Sequence, residues 1–189
     1  MHPIEVLLIP LGKAFRNRRA DETRSMSLAP ELATNHHFAL TSPDFRDGEE
    51  IPAKYCGPLI GANISPAFAW SALPAGTVTV VLVMEDLDSP GAAPGIHTIA
   101  GFAPANDGLP ENALAAGAPG ISFVPTGRGP GRYVGPRPLP GHGPHRYRFH
   151  LYALERSVDF SRISHAEELP AALNGHVLAS GVLTGTRES

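Results

Sequence analysis

The sequence predicts a mainly β domain, built of antiparallel strands with few helices. Glycine and proline, 20 of each among 189 residues, are spread through the whole chain, so turns recur between short segments. From residue 37 onward the apolar stretches run with period two or as short continuous blocks, not with helical spacing. Only 17 % of residues are charged against 42 % apolar, which excludes a disordered tail or a coiled coil. The length suits one domain with a modest extension, able to bury on the order of 70 % of its unfolded surface.

Residues 1–36 read as an appendage ahead of a domain at 37–189. Ile4, Leu7, Leu8, Leu11 and Phe15 follow the spacing of one helical face. Pro3 suits a first helical turn, and Pro10 is expected to kink or shorten the helix. The apolar face calls for cover, by its own domain or by a second subunit, so a homodimer is one expected assembly. A membrane-surface helix is the rarer alternative. The basic residues Lys13, Arg16, Arg18, Arg19 and Arg24 follow the apolar stretch, the reverse of an export signal. Residues 20–36 are polar and read as a linker.

Strands are then expected at 37–41, 67–70, 77–85 (TVTVVLVME), 96–102, 147–154 and 182–184. The β-branched block at 77–85 has no polar face and reads as buried on both sides. Tyr147, Phe149 and Leu151 fall on one face of their strand. Ser164 and Glu167 have capping-box spacing before a helix with Leu169, Leu173 and Val177 on one side, Pro170 marking its start.

Composition narrows the function classes. Fifteen basic and 18 acidic residues give a net charge of −3 and no nucleic-acid footprint. The longest clean apolar run, residues 79–84, is far below the ~20 residues of a membrane span. The single cysteine, Cys56, excludes an internal disulfide framework and a cysteine-based zinc site, and suits a cytoplasmic protein.

No G-x-S-x-G elbow, Walker loop or H-E-x-x-H helix occurs. Residues 126–132 (TGRGPGR) are flexible but lack the lysine and helix of a phosphate loop. Polar residues gather instead at strand ends. Asp86 and Asp88 close the most hydrophobic strand, where turn formation explains Asp, Ser and Pro as readily as function does. His97 opens the next strand, a place where histidine is more often core than ligand. Residues 133–147 (YVGPRPLPGHGPHRY) hold four prolines and three glycines before a strand. Such stiffness suits a pocket wall with fixed backbone N–H groups.

In order along the chain, LTSPDFRDGEEIP, NISPAFAW, LPAGT, EDLDSP, GIHTIA, YVGPRPLPGHGPHRY and NGHVLASGVLTG resemble the phosphatidylethanolamine-binding protein family, also called Raf-kinase-inhibitor-like, and most closely its bacterial branch. The resemblance runs from about residue 37 to 186. It implies Greek-key antiparallel sheets packed as a sandwich with a few peripheral helices, and a small pocket that accepts phosphate-like or carboxylate anions. Asp86, Asp88 and Pro90 match the family's D-P-D-x-P turn, and His97 the histidine opening its next strand. Gly135, Pro136, Arg137 and Pro138 match the loop offering backbone donors, and His145 and Tyr147 the H-R-Y ending.

In such a pocket His97 and His145 donate to an anion, Asp86 orients a histidine, residues 135–137 add N–H groups and Tyr147 adds a hydroxyl. Three positions depart from the family's pattern. Leu87 replaces the proline between the two acids, so the Asp86–Leu87 bond is expected trans. Thr98 replaces a tryptophan and is expected to open one wall. Arg137 replaces a small residue, as a phosphate clamp, a plug or a solvated loop residue.

The expected function is non-catalytic, cofactor-free binding of a small phosphorylated or anionic ligand, headgroup-like in size, with regulation of a partner protein as a further role. Two alternatives stand beside it. One is a metal-dependent hydrolase using Asp86, Asp88, His97 and His145. The other is a protein-interaction module with a vestigial pocket, its partner surface on the N-terminal helix or on residues 128–148.

Overall fold

The structure, a computed structural model, describes residues 3–104, 107–129 and 131–189. Its strands are β1 (Leu40–Thr41), β2 (Phe68–Trp70), β3 (Thr79–Asp86), β4 (Gly95–Phe102), β5 (Gly108–Leu109), β6 (Ile121–Phe123), β7 (His145–Leu154) and β8 (Val177–Arg187). The two α-helices are α1 (Pro3–Ala14) and α2 (Leu169–Leu173). A segment with no polar face must lie between neighbours, and β3 is the central strand of a five-stranded antiparallel sheet ordered β6-β4-β3-β7-β8. A second, three-stranded sheet is ordered β1-β2-β5.

Period two divides β3 between two cores. Val80, Leu82 and Met84 face the smaller sheet, where they meet Phe68, Trp70, Phe149 and Leu151. Val81 and Val83 face the opposite way, with Ile99, Tyr152 and Leu154, and are covered by Leu32, Phe160, Ile163, Leu169 and Leu173. The molecule is thus a two-sheet sandwich with short helical segments on its outer side.

Several boundaries differ from expectation. The last strand begins at Val177 and not at 182, so Val177 belongs to β8 and α2 ends at Leu173. The capping box is formed by His165 and Glu168, because the Glu168 carboxylate accepts from the N–H groups of Ser164 and His165. The short strands β5 and β6 have too few residues to show a period.

The N-terminal region departs most. Ile4, Leu7 and Leu11 are 49, 79 and 45 % exposed, and the face of α1 that docks carries Glu5 and Gly12. A Cβ at Gly12 would stand 1.9 Å from the Pro140 carbonyl oxygen, so helix and loop meet backbone to backbone. Close approach of this kind is invisible to a count of apolar spacing. Pro10 does not stop the helix, which continues to Ala14. Residues 20–36, expected as a linker, lie as 3₁₀ turns over the outer face of the main sheet, with Leu32 buried there. Ser25 Oγ and Met26 N donate to the buried Glu85 carboxylate at 2.7 and 2.9 Å.

Phe160 sits on the main sheet where Gly101 leaves room, and a Cβ at Gly101 would lie 2.0 Å from its ring. Gly101→Ala should therefore cost about 1–3 kcal/mol by overpacking. Urea unfolding checks this, and the polar strand ends described next should keep their properties in the variant.

Candidate functional site

The face of β3 and β7 that fills the inter-sheet core turns polar at one end. Along β3 it runs Val80, Leu82, Met84, Asp86; along β7 it runs Leu151, Phe149, Tyr147, His145. Asp86 pairs with Tyr147 across the two strands, so strict alternation alone brings Asp86, Tyr147 and His145 together. His97 needs one further device. On β4, Thr98 pairs with Met84 and Ile96 with Glu85, which leaves His97 as the extra residue of a bulge. The bulge sends His97 and Thr98 to the same loop. His97 Nδ1 donates to the Val134 carbonyl at 3.0 Å, and Thr98 Oγ1 accepts from Val134 N at 3.0 Å. Thr98 therefore ties the loop down instead of opening the wall.

Asp86 is 2 % exposed. His145 Nδ1 donates to it, 3.0 Å from each oxygen, and Asp88 N donates to Oδ1 at 3.1 Å. His97 Nε2 and Arg128 Nη2 stand 3.9 and 4.0 Å from Oδ2. Burial pushes the carboxyl up, but His145 and His97 outweigh it and hold it well below the usual carboxylate range. The Asp86–Leu87 peptide is trans, like every other described peptide bond.

Not every expected site residue points into this cluster. Asp88 turns away: its oxygens accept from Arg146 N, Nε and Nη2 at 2.7, 2.9 and 3.2 Å. The four-residue metal set is thus not assembled, and no cluster of three or more metal-ligating side chains occurs among the described residues. His145 has no N–H to offer a ligand, because its Nε2 lies 2.7 Å from His142 Nδ1 while its Nδ1 serves Asp86. The Gly135 N–H is also spent, on Asn63 Oδ1 at 2.9 Å, and Pro136 has none. Of residues 135–137 only the Arg137 N–H remains, and it faces the Tyr147 hydroxyl. Pro136 and Pro138 are buried scaffold, their carbonyls accepting from Gly57 N and Ser189 Oγ. The Arg137 side chain is exposed.

Of the buried side-chain polar atoms without a hydrogen-bond partner among the described residues, two fall in this cluster: Tyr147 Oη and His97 Nε2. Their rings meet edge-on, 5.3 Å between centroids. Burial, and then the Asp86 charge, push the Tyr147 hydroxyl far above the ordinary phenol value, while Arg128 and the Arg137 N–H act in the opposite sense. Burial holds His97 below the ordinary imidazole value, against the pull of Asp86. With its one proton on Nδ1, neutral His97 presents a bare lone pair at Nε2.

Arg128 is the residue that sequence reasoning missed. It stands between Gly127 and Gly129 in the TGRGPGR stretch, of which Pro130 lies outside the described residues. Its guanidinium rests where Gly95 has no side chain; a Cβ there would be 2.7 Å from Nη2. The available signal was an arginine between glycines, and its partner glycine lies 33 positions earlier, beyond any local pattern.

Burial of neutral histidines has a consequence for stability. His97 and His142 are both held below the ordinary value of 6.5 by burial, so the unfolded chain binds more protons than the folded one in mild acid. The contribution of these two histidines should be complete above that value and fall as pH drops through it, by at most about 1.4 kcal/mol per pH unit for each. Asp86, Asp88 and Glu85, all held low, add a further loss once pH falls toward the ordinary carboxylate range. Urea unfolding between about pH 8 and pH 5 checks this. His97→Asn, which keeps a donor for Val134, should flatten the first part of the decline.

The architecture has counterparts among known proteins. The sequence profile of the phosphatidylethanolamine-binding protein family matches residues 41–188. The UPF0098 protein Rv1910c of Mycobacterium tuberculosis is 40 % identical over 159 residues, covering 78 % of this chain and 74 % of its own. A fungal protein named Phomoidride biosynthesis cluster protein B is 28 % identical over 201 residues, covering 98 % of this chain and 96 % of its own. Among solved structures, the homolog CT736 of Chlamydia trachomatis superposes with a TM-score of 0.67 at 30 % identity, over 82 % of this chain and 99 % of that one. The fold is shared as well with YbcL of Escherichia coli, at a TM-score of 0.73 and 24 % identity over 81 % of this chain and 99 % of that one. With the profile spanning most of the chain and the sandwich in place, this protein belongs to the phosphatidylethanolamine-binding protein family.

Proposed function

We propose that the polar end of the inter-sheet core binds a small anionic group, a phosphomonoester or a carboxylate, without turning it over. The observation that carries this is the pair of buried, unpartnered atoms, Tyr147 Oη and His97 Nε2, beside the Arg128 guanidinium and the Arg137 N–H. Buried polar atoms are nearly always satisfied, so two adjacent ones mark a place for a polar guest. Tyr147 donates to one ligand oxygen and Arg128 supplies charge. His97 takes up a proton and donates to a second oxygen, or accepts from a ligand that arrives protonated. Nothing here is activated for attack: Tyr147 is held protonated, and burial pushes the thiol of Cys56 up to about 11. No helix among the described residues is long and apolar enough to cross a membrane, and the donors fit a headgroup whether free or on a lipid.

Because His97 is neutral before binding, the anion should arrive with proton uptake and bind more tightly as pH falls from about 8 to 6. Thermal unfolding with phosphate, phosphoethanolamine and acetate checks this. Acetate is the cleanest probe, since its own charge is constant over that range. A ligand at 100 times its dissociation constant stabilises by ~2.7 kcal/mol, roughly 5–10 °C for this size. No shift with any of the three anions would overturn the proposal.

Two substitutions separate binding from folding. Tyr147→Phe removes an unpaired buried hydroxyl, so stability should hold or rise by up to about 1 kcal/mol while anion affinity falls about tenfold or more. Gly95→Ala pushes the flexible end of Arg128 aside, and should weaken acetate binding several-fold with little change in stability. Calorimetric titration reads both.

A further inference from the structure

We propose that the N-terminal segment is a working part of this pocket: Arg18 and Arg19 fix His142 as a hydrogen-bond acceptor at Nδ1, and that acceptor keeps the second ring proton on His145. Proton counting along the chain of contacts leads there. His142 Nε2 lies 2.9 Å from the Arg18 carbonyl oxygen, which can only accept, so Nε2 bears a proton. Arg19 Nη1 lies 2.5 Å from His142 Nδ1 and 2.9 Å from Nε2, so the guanidinium stands against both ring nitrogens, while His145 Nε2 lies 2.7 Å from Nδ1. A guanidinium against both nitrogens disfavours a second proton on the ring, so with its one proton held on Nε2 by the Arg18 carbonyl His142 is bare at Nδ1, and His145 Nε2 supplies the hydrogen. At its other end His145 Nδ1 faces the ionised Asp86 carboxylate, which also only accepts. Both nitrogens of His145 therefore carry protons, and the ring is an imidazolium. Burial and the Arg19 charge favour neutral His142, in keeping with the charge residing on His145.

The groups facing His145 are Asp86 from β3, His97 from β4, Tyr147 on its own strand, His142 from the loop and, beyond it, Arg19; Arg128 stands across Asp86. Protonated His145 cancels the Asp86 charge. A neutral His145 would leave a carboxylate facing the incoming anion. His142 is thus a positioning residue, acting through His145, and the clamp on it is made by residues outside the stretch matched by the family profile. Arg19 Nη2 also donates to the His142 carbonyl at 3.2 Å, and Gly12 of α1 packs on Pro140 two residues away.

The effect on affinity rests on the anion-binding proposal; the proton count does not, and the experiment separates them. Long-range proton–nitrogen NMR on the full chain with ¹⁵N-labelled histidine, at about pH 7 and without ligand, reads each ring directly. The expected result is two protonated nitrogens on His145 and an Nε2–H tautomer on His142. His142→Leu removes the acceptor, so His145 should lose one proton and acetate affinity should fall about tenfold. His142→Asn offers a side-chain oxygen near the place of Nδ1 and should restore both. Arg19→Leu, which leaves the inter-sheet core untouched, should shift His142 and His145 together. A His145 with one proton in the unmodified chain overturns the proposal, as does His142→Leu with the imidazolium intact. If His142→Leu fails to fold, the unmodified chain, His142→Asn and Arg19→Leu decide it. If no anion binds while His145 still carries both protons, the pocket's function is lost and the proton assignment stands.

Discussion

An ionised carboxylate with almost no access to water closes an otherwise aliphatic strand, and much of this molecule is arranged around that fact. Asp86 cannot be left alone there, since a buried charge without partners costs several kcal/mol. Its partners come from four separate directions: a histidine two residues beyond its register mate, a histidine displaced by a bulge, the backbone of its own turn and an arginine reaching across a glycine. Each partner imposes a requirement on the segment that bears it. The bulge must stay in β4, the loop at 133–138 must stay pressed on residues 55–57, and Gly95 must stay bare.

The same strand repeats the problem on its other face. Glu85 is fully buried one residue earlier, with His150 Nε2 at 3.3 Å and donors from Ser25 and Met26. Hence both faces of β3 end in a carboxylate, and both carboxylates enlist the N-terminal segment, Glu85 directly and Asp86 through His145 and His142. Residues 18–26 therefore couple the two sides of the sheet, with Met26 packed against the outer core.

What could be read in advance follows from the range over which each feature acts. Period-two alternation is local, so the positions of β3, β4 and β7 and the shared face of Tyr147, Phe149 and Leu151 were legible. So was the gathering of Asp86, His97, His145 and Tyr147, through the resemblance carried by their motifs. The directions of bonds were not. That His145 spends both nitrogens on protein, or that Gly135 gives its N–H to Asn63, depends on contacts between distant residues. The docking of α1 was misjudged for a related reason. Apolar spacing reports where side chains can be buried, whereas this helix is held where a side chain is missing.

That missing side chain separates two sets of evolutionary constraint on one short helix. The seat of α1 at Gly12 reads the helix backbone against the Pro140 carbonyl, so a replacement at this position cannot be absorbed without moving the segment. Leu7 and Leu11, exposed to solvent, take no part in that seat. They are free to drift, to become polar or to acquire a partner's specificity, while Arg18 and Arg19 stay in place above His142. A lineage can therefore rewrite the outer surface of its N-terminus without disturbing the charge in its pocket.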